Sequence, residues 1–403
     1  MNPKTKMRKT NTFSTSIIVI AVLFSSLVSL TIELNSIALY VAIPVAFLIS
    51  LILRGKIIIN DYYRIYIYLC LWLLFTTIFA FNTESALREM RQVLGAFLLS
   101  YIVSFGAADS KMRPWMYVAF ITLYLSALFY AYTHILYVGW NIGGQDRLND
   151  DVLNANKLAY YTFYATIAFY MLAELITKKK IINKSLRVLF LAMIPVSFWI
   201  ALLTASRQVL IIQVPTIVIL GYIRYFKNKS SKRTVLTLFV VIGVTLFAAS
   251  RVADIYNDSY LAERNEKSLA EDSRPKLMAN AIQVGLDNPV VGVGPGCFYL
   301  VSYNHHYSHC TYTELFANTG LIGFLLYFIL VFRLLTVNFR RYRRSKDLHY
   351  LVYASFALMF IIYNFFYVFY KDIWLTAFFF LVASDSESYY NNQKYLKRNA
   401  TPR

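Results

Sequence analysis

Charge is scarce in this sequence. Only 15% of the 403 residues are Asp, Glu, Lys or Arg, against about 25% in an ordinary soluble domain. Acidic residues are the scarcer sign, 21 against 40 basic. Cysteine is rarer still, with three in the chain, which rules out a dense disulfide scaffold. Internal repeats and low-complexity stretches are missing, so a solenoid or a disordered tail is not indicated. The shortage of charge runs the length of the chain, which one anchor helix would not produce. A basic face on a soluble module, which a nucleic-acid binder needs, is also missing.

In place of charge there are long apolar runs. A membrane-crossing helix needs about 20 mainly apolar residues. Candidate runs lie near Ser14–Thr31, Ser36–Leu53, Tyr62–Phe81, Val93–Ala107, Trp115–Tyr137, Leu158–Ile176, Val188–Leu203, Val209–Tyr225, Val235–Ala249, Leu315–Val337, His349–Phe366 and Ile373–Ala383. The fourth and the twelfth are short, and the stretch around Tyr363–Lys371 reads as a bent pair or something irregular. The first run lacks a small-residue cleavage site and does not read as a cleaved signal. The expected fold is all-α: one integral membrane domain over residues 1–403, a polytopic bundle of about 12 helices.

Lys and Arg give the orientation. With the N-terminus inside, the inner segments hold most of the 40 basic residues, including Lys178–Lys180, Arg340, Arg341, Arg343 and Arg344, as the positive-inside rule requires. Both termini are then cytoplasmic. This distribution accounts for most of the +19 net charge without nucleic acid.

Most connections are short. The exception is 251–314, one large outer loop between the ninth and tenth spans. Within it, Ser268–Leu286 sets Leu277, Ala281, Val284 and Leu286 at near-helical spacing and predicts a short amphipathic helix, able to lie on the membrane face. A turn-rich stretch with Gly292, Gly294 and Gly296 follows. These glycines serve turn geometry, or let backbone approach the loop core or a ligand. Cys297 and Cys310 share this loop, and spacing alone does not decide whether they pair.

Several polar residues stand where lipid or the outer face is expected. Arg207 separates two apolar runs in Leu203-Thr-Ala-Ser-Arg207; a charge there points to function or to a tight outer turn with a snorkelling side chain. Arg88, Arg91, Arg147 and Arg274 also fall on the outer side. A guanidinium fork suits phosphate, so these arginines suggest an anionic ligand. The ordinary alternatives are pairing with Glu84 or Glu89 for Arg88 and Arg91, pairing with Asp150 or Asp151 for Arg147, and a solvated helix face for Arg274. Three of the five histidines cluster at 305, 306 and 309. The spacing of His305 and His309 would suit a metal on a helix, but no carboxylate lies between them. His309 is better read as a general base or as a hydrogen-bonded helix start.

Four stretches together resemble the O-antigen ligase and O-antigen polymerase superfamily of bacterial membrane glycosyltransferases. They are Arg147 followed by Asn154-Ala-Asn156, the Ser206-Arg207 turn, Arg274 with Pro289-Val-Val-Gly-Val-Gly-Pro-Gly-Cys-Phe298, and His309 followed by Gly320-Leu-Ile-Gly323. They cover about residues 140–325. Cys310 departs from the pattern, since many ligases carry Asn, Ser or Gln there; this bears on the subgroup.

The resemblance implies a glycan donor on undecaprenyl diphosphate, used at the outer face of the bacterial inner membrane with the active site extracytoplasmic. The acceptor would be a glycan or glycolipid such as lipid A core. No cofactor, metal or nucleotide sugar is implied, and membrane lipids are the remaining partners. His309 would be the base, Arg207 and Arg274 would stabilise the departing diphosphate, and Arg147, Arg88, Arg91 and Asn156 would hold the donor. A repeat-unit polymerase of the same superfamily is the first alternative, a transporter or flippase of lipid-linked glycan the second.

Overall fold

The computed structural model describes residues 17–23, 37–54, 59–138, 155–204, 206, 209–225 and 273–400. Among them every regular element is helical: α1 (Ile43–Arg54), α2 (Asp61–Thr77), α3 (Thr83–Ala108), α4 (Arg113–Val138), α5 (Ala155–Leu175), α6 (Lys180–Thr204), α7 (Val214–Tyr225), α8 (Ser273–Asp287), α9 (Phe298–Val301), α10 (Thr311–Ser345), α11 (Leu348–Tyr363) and α12 (Ile373–Ala400). Short π-helical turns, Ala38–Ala42 and Val209–Gln213, lead into α1 and α7.

Among the described residues four helices are long and apolar enough to cross a membrane: Thr83–Ala108, Arg113–Thr133, Lys180–Ala201 and Thr311–Ser345; shorter apolar helices include Tyr40–Ile52 and Leu348–Tyr363. The expected run Val235–Ala249 lies outside the described residues, and Ser14–Thr31 is described only over 17–23.

Helix starts follow from capping side chains that satisfy otherwise orphaned N–H groups. Asn60 accepts from the Tyr63 N–H at 2.7 Å, Asn82 from Ser85 at 2.8 Å and Asp347 from His349 at 3.0 Å. Asn60 also donates to Ser384 Oγ at 2.7 Å, tying α2 to α12.

The two runs read as short are long helices. The fourth becomes the 26-residue α3 and the twelfth the 28-residue α12. Hydropathy hides their ends because polar residues there are paired inside the protein. At one end Asp385 meets Arg113 at 3.2 Å and accepts from Tyr117 at 2.6 Å. Arg113 also donates to the Ala107 carbonyl at 2.7 Å, so the charge is both paired and hydrogen-bonded, as an interior ion requires. This pair joins α4 to α12 and to the end of α3, and α12 runs against α3 over most of its length.

The loop helix forms from Ser273 to Asp287. Leu277 and Ala281 are buried and Val284 is half-buried, but Leu286 is 59% exposed. At about 100° per residue, Leu286 falls opposite Leu277, so it never belonged to the apolar stripe. The stripe packs on α10. Both helices run the same way: Gly285 lies against the Phe316 ring, and Val290 against Gly320.

Candidate active site

The glycine-rich turn exists to complete a broken helix. Gly320 sits inside α10 at φ 66°, ψ −170°, a conformation open essentially to glycine alone. The break strips the preceding carbonyls of their helical donors, and buried orphans of this kind need replacements. The turn supplies them. Val293 N–H donates to the Ala317 carbonyl and Gly294 N–H to the Asn318 carbonyl, both at 2.9 Å, while the Trp72 indole donates to Thr319 at 2.8 Å. Phe298 N–H reaches Asn318 Oδ1 at 2.8 Å, and Leu321 N–H returns to the Pro289 carbonyl at 2.8 Å.

Contact this close leaves no room for a Cβ. One on Gly292 would come within 2.3 Å of the Asn318 carbonyl carbon, and one on Gly294 within 2.4 Å of Ala80. Gly296 faces Glu89, 3.0 Å from its Cβ. All three glycines have positive φ. Gly292 lets in the backbone of α10, Gly294 that of the α2–α3 turn at Ala80, and Gly296 the first turns of α3 at Ser85 and Glu89.

The segment before α10 is a tight turn rather than a helix, so His305 and His309 share no helical face. Both have positive φ, 53° and 59°, a region that non-glycine residues seldom adopt and that often marks a functional position. His309 is held from three sides. The Ser308 N–H donates to Glu314 Oε2 at 2.7 Å. Ser308 Oγ donates to the Cys310 carbonyl at 2.9 Å and accepts from the Cys310 N–H at 3.2 Å. The Tyr307 ring lies 4.1 Å from the imidazole, centroid to centroid. Glu314 is 1% exposed and sits in the first turn of α10, where the helix dipole favours a carboxylate.

Residues 364–372, between α11 and α12, form a strap across this end. The Thr311 N–H donates to the Asn364 carbonyl at 2.8 Å, Thr311 Oγ1 donates to the Tyr367 carbonyl at 2.8 Å, and Phe369 N–H donates to Thr311 Oγ1 at 2.9 Å. The strap ends in two ion pairs of opposite sense. Lys371 meets Glu89 of α3 at 2.6 Å, and Asp372 meets Lys157 of α5 at 3.0 Å. Tyr370 hydroxyl donates to the other Glu89 oxygen. Burial works to lower the Lys371 pKa, but the Glu89 and Glu314 carboxylates outweigh it and hold it above its usual value.

Lys371→Met would leave the Glu89 carboxylate buried without its cation, a loss of about 3 kcal/mol. Thermal unfolding of the detergent-solubilised variant checks this, and the double variant Lys371→Met with Glu89→Gln should recover much of it.

The remaining site candidates are placed as follows. Arg274 is half-buried in the first turn of α8; because α8 and α10 run in parallel, it lies at the same end of the helix pair as His309. Arg88 is exposed and pairs with Glu84 at 3.2 Å. Arg91 is exposed, and its neighbour Glu89 turns inward to Lys371 instead. Asn156 lies in the first turn of α5, next to Lys157. Arg147 and Arg207 lie outside the described residues, although Ser206 and Val209 on either side of Arg207 are buried. Cys297 and Cys310 are both free thiols, and burial pushes the Cys297 thiol up.

Sequence reasoning gave Glu89 to Arg88 or Arg91 rather than to Lys371, and assigned no role to Glu314, Lys157, Lys371 or Asp372. The one available signal was the Lys371-Asp372 dipeptide set between two apolar runs.

Comparison with known proteins adds one match. Residues 188–328 fit the family model described as O-antigen ligase, and no curated protein matches the chain. The matched stretch takes in Arg207, Arg274, the glycine turn, His309 and the Gly320 break. Over that stretch, about a third of the chain, this protein is similar to the O-antigen ligase family.

Proposed function

We propose that this protein is a membrane glycosyltransferase of the O-antigen ligase type. It transfers a glycan from undecaprenyl diphosphate to an acceptor sugar at the outer face of the bacterial inner membrane. The observation that carries this reading is His309 itself, an imidazole in a left-handed turn braced by a buried carboxylate, at the end of the α8–α10 pair that also carries Arg274.

In this reading the acceptor hydroxyl oxygen attacks the anomeric carbon while the bond from that carbon to the diphosphate oxygen breaks. His309 takes the hydroxyl proton. Undecaprenyl diphosphate departs with the bonding pair, and Arg207 and Arg274 stabilise the negative charge that grows on it. Arg147, Arg88, Arg91 and Asn156 hold the donor, and no metal takes part. The extracytoplasmic placement is supported by charge: α10 starts beside His309 and ends in Arg340, Arg341, Arg343 and Arg344, the side that the positive-inside rule makes cytoplasmic.

Purified protein, lipid-linked donor and acceptor should yield a new glycosidic product; movement of donor across the bilayer without product would replace the enzyme with a carrier. Arg207→Lys should be nearly as poor as Arg207→Ala, because a point charge does not reproduce a planar fork. Glu314→Gln keeps an acceptor for the Ser308 N–H and should retain most activity. Glu314→Ala strands that N–H and should lower turnover more than donor affinity, which steady-state kinetics separates.

Cys310 favours keeping the polymerase as a second reading. It occupies the N-cap of α10 and makes no side-chain capping bond, where many ligases carry Asn, Ser or Gln. Cells lacking the protein decide between the two: single-repeat products mark a polymerase, and long unattached lipid-linked chains a ligase.

A further inference from the structure

The opposite end of the bundle holds a cavity of about 610 Å³ between the C-terminal part of α10 and the tail of α12. Its lining includes Arg340, Arg341, Arg344, Asp347, Tyr390 and Lys394. Four cations thus face one carboxylate, and that carboxylate is committed elsewhere: Asp347 accepts from the His349 N–H at 3.0 Å and from the Tyr389 hydroxyl at 2.8 Å.

Among the described residues, one of the four cations has an ion-pair partner. Arg341 donates to Glu387 at 2.9 Å and stacks on the Tyr390 ring, 4.1 Å from its centroid. Among the described residues, Arg340, Arg344 and Lys394 form no ion pair. Arg340 and Arg344 stand one helical turn apart on the same face, where like charges repel, and Lys394 adds a third charge from across the cavity. The C-terminal dipole of α10 offsets part of this, but it acts on Arg343 as well and does not explain why three cations converge on one hollow. An anion would relieve the repulsion, and guanidinium forks favour phosphate.

We propose that this cavity is a phosphate-binding site, separate from the transfer site, that takes the phosphodiester headgroup of an anionic membrane lipid or a soluble phosphate. The Tyr390 ring walls one side and lies against Arg341, while Arg340, Arg344 and Lys394 supply donors to the phosphate oxygens. No part of this depends on the glycosyltransferase reading.

Full-length protein in phosphatidylcholine nanodiscs, titrated with short-chain phosphatidylglycerol or with inorganic pyrophosphate and read by native mass spectrometry, tests it. Saturable binding of either ligand that Arg344→Gln weakens supports the site: lipid alone identifies a headgroup pocket, and pyrophosphate identifies a soluble ligand. Affinity should fall about fivefold for each cation removed in Arg340→Gln, Arg344→Gln and Lys394→Gln. Arg343→Gln, on the same helix but outside the lining, should bind like the parent. If the triple variant does not fold, the single Arg344→Gln carries the comparison. Binding of neither ligand, or equal weakening by Arg343→Gln, overturns the proposal.

Discussion

Replacing His309 with alanine is expected to lower glycan transfer by about 10²–10⁴-fold, the usual share of a positioned proton acceptor, while the amount of protein in the membrane stays normal. The two halves of that expectation have separate grounds. The turn around His309 is held by Ser308, Glu314 and the Cys310 backbone, none of which needs the imidazole. Its backbone is in the left-handed region at φ 59°, which alanine tolerates less well, so His309→Asn is the companion variant: asparagine accepts that conformation but takes up no proton. Both should bind donor normally and fail in turnover. Wild-type transfer by both would remove the base from the mechanism. If only the alanine variant failed, the turn would matter and the proton would not.

The largest effect on folding is expected at Gly320. In Gly320→Ala, the new Cβ would lie 2.1 Å from the Val290 carbonyl oxygen and 2.8 Å from that of Pro289. Both contacts are backbone, so no side chain can swing aside. The conformation itself, φ 66° and ψ −170°, adds a strain of about 1–3 kcal/mol for a residue with a Cβ. Relief would mean straightening α10 or lifting the glycine turn, and either breaks the hydrogen bonds that join them. The variant should accumulate poorly and elute as aggregate on size-exclusion chromatography. Gly221→Ala is the control: its Cβ would meet only side-chain atoms at 3.5 Å, and it should behave as wild type or better. A monodisperse, abundant Gly320→Ala protein would show that the break is not needed.

The apolar runs made the helices legible, and the glycine spacing made the turn legible; His309 and Arg274 are proposed as site residues from the motif order. What stayed hidden was hidden by distance along the chain. Lys371 and Glu89 are 282 residues apart, and nothing in the neighbourhood of either names the other. The same pairing explains the helix ends that hydropathy cut short: Glu89 and Asp385 look like loop residues until Lys371 and Arg113 are placed beside them. The glycines illustrate a different limit. Their spacing announced a close approach, but not what approached. Leu286 shows a third, since an apolar residue near the end of a stripe can still point the wrong way.

The strap has a mechanical consequence. Lys371 and Asp372 are chemically opposite, adjacent, and fastened to different helices, much as a buckle holds two ends of one belt. Any widening between α3 and α5 stretches both fastenings at once in a setting poor in water. The rim between α3 and α5 therefore keeps a fixed width at this end of the bundle.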